Sequence, residues 1–244
     1  MRRHLAALVL ALPLAACAGD DGGATDRLTV LAAASLTDVF EELATGFEEE
    51  HDVDVTFSFG SSTDLAEQVA DGAPGDVLAT ADETSMGLAE NAGVTGEVET
   101  FATNVLTIVV PADNPAGIES LDDLEGSTWV RCADEVPCGK VALAVLDATG
   151  ITAEPASLEE DVRATLDKVV SGEADAGLVY ASDAVAVGDD VEAVEIPGAN
   201  DALTSYYATT LDQSENPDLA ADWVEWVTSD EGRTILADAG FGSP

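Results

Sequence analysis

The sequence predicts an α/β fold with mostly parallel sheets, and three observations carry the prediction. Short apolar runs bounded by turn residues alternate along the chain with apolar stripes at helical spacing. A strand leads straight into a helix through small residues at Ala32-Ala33-Ala34-Ser35, and again at Gly60-Ser61-Ser62. No repeat, heptad or low-complexity tract interrupts the alternation. In folds of this class, binding sites lie at the carboxyl ends of strands, where helices begin.

Residues 28–31 predict a buried strand. The helix that follows carries Leu36, Val39, Phe40, Leu43 and Phe47 on one stripe, with Ser35 at its start and Asp38 three residues on. Val53, Val55, Phe57 and Phe59 alternate with polar residues, as in a half-buried strand, and Gly60 breaks it. Leu65 and Val69, with Ala66 and Ala70 beside them, mark a second helix. After the turn Gly72-Ala73-Pro74-Gly75, residues 76–80 predict a short strand, and residues 86–91 a short helix closed by Gly93. Residues 105–110 form a continuous apolar run between Asn104 and Pro111, the pattern of a buried strand. A helical turn at 121–124 and a strand at 128–131 precede Pro137-Cys138-Gly139, which opens a helix ending at Gly150. Val162, Leu166, Val169 and Val170 mark another helix, with two candidate caps: Ser157 paired with Glu160, or Asp161. Strands are predicted at 176–180, 191–196 and 206–211. Asn216-Pro217 starts a helix carrying Leu219, Trp223, Trp226 and Val227, and Ser229 caps a last one ended by Gly240.

The 244 residues can bury one large core or two modest ones. A formal net charge of −41, with only 8 Lys and Arg, argues against nucleic acid and anionic membrane surfaces as partners. Such a surface suits a salt-rich milieu, although a biased genome could produce part of it.

Arg2 and Arg3 followed by the apolar stretch 5–14 read as a signal peptide over 1–16, too short to span a bilayer as a mature helix. Leu14-Ala15-Ala16-Cys17 resembles the lipobox of bacterial lipoproteins, in which the Cys is lipidated and becomes the new N-terminus. Residues 17–26 then form the lipidated Cys17 and a flexible Gly- and Asp-rich tether. Loss of Arg2 and Arg3 takes the charge from −41 to −43, so a binding site here draws nothing from bulk positive potential.

In an exported chain, Cys132 and Cys138, with five residues between them, predict a local disulfide. Two cysteines and His51 do not make a zinc site, and no other metal is expected. No Gly-x-Ser-x-Gly elbow surrounds Ser35 or Ser62, and His51 has no evident serine partner, so an enzyme is not expected.

A strand that runs through Gly-Ser-Ser into a helix points backbone N–H groups and hydroxyls at one spot, as an anion-binding helix N-terminus does. The plain alternative is that Ser61 or Ser62 merely caps the helix, with Asp64 completing the box. Val162 likewise reads as a core residue on its stripe, and Tyr180 as a strand-end aromatic with its hydroxyl in water.

Six segments in order match one family. They are Ala33-Ala34-Ser35-Leu36-Thr37, Phe59 to Ala66, Gly72-Ala73-Pro74 with Asp76, Val136-Pro137-Cys138-Gly139, Glu160-Asp161-Val162-Arg163 and Val179-Tyr180-Ala181-Ser182-Asp183-Ala184. Across essentially the whole mature chain, these resemble the molybdate-binding proteins of ABC importers. The resemblance implies a type II periplasmic-binding-protein fold, two α/β lobes with a two-stranded hinge. It implies lobe 1 over 27–104 plus 209–244 and an inserted lobe 2 over 105–208, with crossings near 103–108 and 205–210. It also implies a molybdate or tungstate ligand without further cofactor, an importer permease as partner, membrane contact only through the lipid anchor, and a monomer. Ser35 and Ser62 would each supply a hydroxyl and a backbone N–H, Cys138 and Val162 a backbone N–H, and Tyr180 its hydroxyl. Cys138 stands where the family often has Ala, and Tyr207 where many relatives have Pro. A lipoprotein for another oxyanion such as sulfate, or a serine hydrolase, are the alternatives.

Overall fold

The computed structural model describes residues 26–244. The expected signal peptide, the Cys17 anchor and the tether lie outside the described residues, except that Asp26, expected in the tether, opens the first strand. The chain begins with β1 (Asp26–Ala33), a 3-10 turn (Ala34–Leu36), α1 (Thr37–His51), β2 (Val53–Gly60), α2 (Ser62–Ala70), β3 (Val77–Thr80), α3 (Glu83–Ala92) and β4 (Glu99–Asn104). It then crosses to β5 (Leu106–Pro111), β6 (Trp129–Cys132), α4 (Pro137–Thr149), β7 (Ser157–Glu159), α5 (Val162–Val170), β8 (Ala176–Tyr180), α6 (Ala181–Val187) and β9 (Val191–Glu195). It returns through β10 (Thr204–Thr210) and ends in α7 (Pro217–Thr228) and α8 (Asp230–Asp238).

Two five-stranded sheets result, ordered β2-β1-β3-β10-β4 and β7-β6-β8-β5-β9. Each contains a parallel trio wound through helices, with β1 or β6 at its centre. Each also contains two antiparallel pairings, made by β10 in the first sheet and β5 in the second. The expectation of mostly parallel sheets is therefore corrected to mixed ones. The strands next to the crossings enter against the direction of the trio they join.

The helical stripes do bury the faces expected of them. Val39, Phe40, Leu43 and Phe47 of α1 pack with Trp223 and Val227 of α7 in the core of the first lobe. Val162, Leu166 and Val169 of α5 join Val145 and Leu146 of α4 in the core of the second. The fold is thus two α/β lobes joined by two crossings. The first crossing lies at Val105, between β4 and β5. The second was expected near 205–210, but β10 pairs with β3 and β4 from Thr204 onward, so it falls in 196–203. The backbone groups of 204–210 are satisfied by first-sheet neighbours, which fixes that strand to the first lobe.

Candidate functional site

Five strand-to-helix junctions face one another across the two lobes. In the first lobe, β1 runs into the 3-10 turn that holds Ser35, and β2 runs through Ser61 into Ser62, the first residue of α2. Ser61 stands at the N-cap position of α2, but at neither junction does a serine side chain make a capping hydrogen bond. Ser35 Oγ lies 2.8 Å from Tyr206 Oη, and Ser62 Oγ accepts the Ala81 N–H at 3.0 Å. Ser61 Oγ is buried with no hydrogen-bond partner among the described residues.

In the second lobe, β6 is followed by α4, whose first turn contains Pro137, Cys138 and Gly139. A disulfide joins Cys138 to Cys132 at the end of β6, with the two Cα atoms 5.7 Å apart. The loop passes so close to the helix start that a Cβ on Gly139 would sit 1.7 Å from the Ala133 carbonyl oxygen. Val162 opens α5, and the cap left open between two candidates is Asp161, whose Oδ1 accepts the Ala164 N–H at 2.9 Å. Tyr180 ends β8 and is 1% exposed, so its hydroxyl is not in water.

Ser35, Ser62, Cys138, Val162 and Tyr180 all line a single cavity of about 230 Å³ between these junctions. That figure includes space open to solvent, and the enclosed room is about 20 Å³, so only a small solute fits it. Ser61 and Asp161 also line it, and neither was singled out as a site residue from the sequence. The signal for Ser61 was present in the Gly-Ser-Ser turn, where two hydroxyls stand side by side. No Lys or Arg is among the lining residues. The available positive charge is partial: α2, α4 and α5 each place residues of their first turn in the lining, where a helix leaves N–H groups without intrahelical partners.

Tyr180 Oη is buried beside the Thr204 hydroxyl and makes no hydrogen bond of good geometry among the described residues. Burial, reinforced by nearby Tyr206, Asp183 and Asp82, holds its phenol well above the ordinary value, so it keeps its proton and can donate. Behind it, Asp183 Oδ2 accepts the Tyr180 N–H at 3.0 Å, and the Arg163 guanidinium stands 3.5 Å from Asp183 Oδ1. The cavity therefore gathers hydroxyl and amide donors, and its one carboxylate is engaged as a helix cap. A buried polar atom without a partner is costly, and several donors at one spot suit a ligand that offers only acceptors.

Comparison with known proteins identifies the family and the fold. The family model for bacterial extracellular solute-binding proteins matches residues 28–242. The molybdate-binding protein ModA of Mycobacterium tuberculosis is 40% identical over 236 residues, which cover 95% of this chain and 90% of that protein. Among solved structures, the periplasmic molybdate-binding protein of Azotobacter vinelandii superposes with a TM-score of 0.80 at 24% identity, covering 89% of this chain and 99% of that one. The sulfate-binding protein SubI of Mycobacterium tuberculosis superposes at 0.77 with 21% identity, covering 88% and 86%. Both structural likenesses speak to the fold alone. The chain belongs to the family of bacterial extracellular solute-binding proteins and is a relative of ModA.

Proposed function

We propose that the protein captures molybdate or tungstate between its two lobes and hands it to the permease of an ABC importer. The observation that carries this reading is the convergence of five strand-to-helix junctions on one small cavity, with the Tyr180 hydroxyl buried in its lining. A tetrahedral dianion accepts from every side and carries no proton. Ser35 and Ser62 would donate hydroxyl and backbone hydrogens, Cys138 and Val162 backbone hydrogens, and Tyr180 its phenol hydrogen. The ModA relative supports the choice of molybdate, and the family, made of binding proteins, gives no support to a serine hydrolase.

Calorimetry with molybdate, tungstate, sulfate and phosphate at fixed salt tests the reading. Molybdate and tungstate are expected to bind far more tightly than the other two. Sulfate is smaller and would stretch several hydrogen bonds, and phosphate at neutral pH brings a proton that needs an acceptor. Ser62→Ala and Tyr180→Phe should each weaken molybdate binding by roughly 1–3 kcal/mol, as loss of a charge-assisted hydrogen bond does. Equal or tighter binding of sulfate would overturn the choice of ligand. Lipidation at Cys17 would hold the lobes near the importer, and Cys17→Ala should release the full-length chain from the membrane fraction.

A further inference from the structure

A serine hydroxyl can donate or accept, so two serines in the cavity do not by themselves make a pocket of donors. The hydrogen bonds behind them decide the direction. Asn104, at the end of β4, accepts the Val105 N–H on Oδ1 at 3.0 Å. An N–H can only donate, so the amide oxygen must face it and the amide nitrogen must face the other way. That nitrogen donates to Ser182 Oγ at 2.8 Å and to Tyr206 Oη at 3.4 Å. Tyr206 is fully buried, and among the described residues its hydroxyl has only Asn104 and Ser35 as partners.

If Ser35 donated to Tyr206, the phenol hydrogen would be buried with no acceptor. If Tyr206 donates to Ser35, every hydrogen is placed and the Ser35 hydrogen is left for the cavity. Burial raises the Tyr206 phenol above its ordinary range, so that hydrogen stays in place. Ser62 is set the same way by a different donor. Its Oγ accepts the Ala81 N–H, and its own hydrogen is left for the cavity.

We propose that Tyr206 and Asn104 are positioning residues of the anion site, which hold Ser35 as an obligatory donor and so turn the pocket against oxyanions that carry a proton. This deepens the oxyanion reading and rests on it. A protonated anion meets Ser35 and Ser62 with one lone pair of each already filled and their hydrogens turned to the cavity, and Asp161, the one carboxylate in the lining, with Oδ1 committed to the Ala164 N–H, so its own proton is poorly placed. The chain Asn104 to Tyr206 to Ser35 also aligns three dipoles toward the bound charge, so each bond strengthens the next.

The experiment is a double-mutant cycle on the mature protein, with molybdate and inorganic phosphate as probes at neutral pH. Tyr206→Phe keeps the ring and its packing against Phe101, Tyr180 and Phe241, so the variant should fold, and its ligand-free melting temperature checks this. It is expected to lower molybdate affinity about tenfold while leaving phosphate affinity unchanged or raised, because Ser35 Oγ is freed to accept. In a Ser35→Ala background the same change should cost less than about twofold. A Tyr206→Phe variant that weakens both anions equally, or that keeps its full effect without the Ser35 hydroxyl, would overturn the proposal and leave Tyr206 a packing residue. A wild-type protein that binds no molybdate would instead overturn the function on which the proposal rests.

Discussion

Asp183 shows how much a single buried carboxylate behind the site is asked to tolerate. It is 0% exposed, and Oδ1 has no hydrogen-bond partner among the described residues. Burial raises it to about 7, against the opposing pull of Arg163 and the Tyr180 N–H, while Asp38 and Asp161 push it further up. An acid whose folded value lies above its unfolded one holds its proton more tightly when folded. The folded state then binds more protons between about pH 4 and pH 7, so stability falls as pH rises through that window and levels off beyond it. Asp183→Asn cannot ionise and keeps an oxygen for the Tyr180 N–H. Relative to wild type, the variant should gain stability on going from about pH 5 to about pH 8. Denaturant unfolding of both proteins at the two pH values reads this, and a constant difference between them would count against it.

At the scale of elements, the readable signals were those with both a period and a stop. The α1 stripe ends at His51, beside Asp52 in the left-handed region at φ 55, and the continuous run of β5 is closed by Pro111. Three elements left no such trace. β4 holds only Phe101 and Ala102 as apolar residues, β7 is three residues long, and α6 is seven residues of small side chains. Those elements are held by neighbours distant in sequence, as β4 is by β10. The five candidate site residues came from the family resemblance, and each lies at a strand-to-helix junction that the sequence pattern marks. Tyr206 and Asn104 were not legible, because their function depends on contacts across 171 and 78 positions of the chain. The β6–α4 junction carries its own prediction. The Cys132–Cys138 bridge closes a short loop, so replacing both cysteines by alanine should lower the unfolding free energy by about 2 kcal/mol. It should also weaken molybdate binding, because the Cys138 amide loses its pre-ordering. Denaturant unfolding and calorimetry on the same variant test both halves, and unchanged values in both would refute them.

The whole molecule is two acidic lobes pressed together, and scarce cations span the gap. Lys140 of α4 lies 2.7 Å from Asp82 of the first lobe, and Arg163 of α5 contacts Asp38 of α1. Thr63 Oγ1 also donates across the cleft to the Glu135 carbonyl at 3.2 Å. Like-charged lobes repel, and these contacts on either side of the cavity offset part of that repulsion. Lys140→Met with Arg163→Met should therefore favour the open arrangement and weaken molybdate binding by about 0.5–1 kcal/mol per pair, given their partial exposure. Small-angle scattering should show wild type compacting on saturation with molybdate, and the double variant starting from a larger radius of gyration. A radius that does not change with ligand in wild type would contradict lobe closure.

The lining without Lys or Arg has a further consequence, which concerns speed. An anion nearing a chain of net charge −41 climbs a repulsive potential until it is within reach of the helix termini. Dissolved salt lowers that barrier, since at about 0.1 M it screens charges beyond about 10 Å. Contacts inside the closed cavity are buried and feel little of it. Encounter thus quickens with ionic strength while residence hardly changes, the reverse of a receptor that draws its anion in with a basic surface.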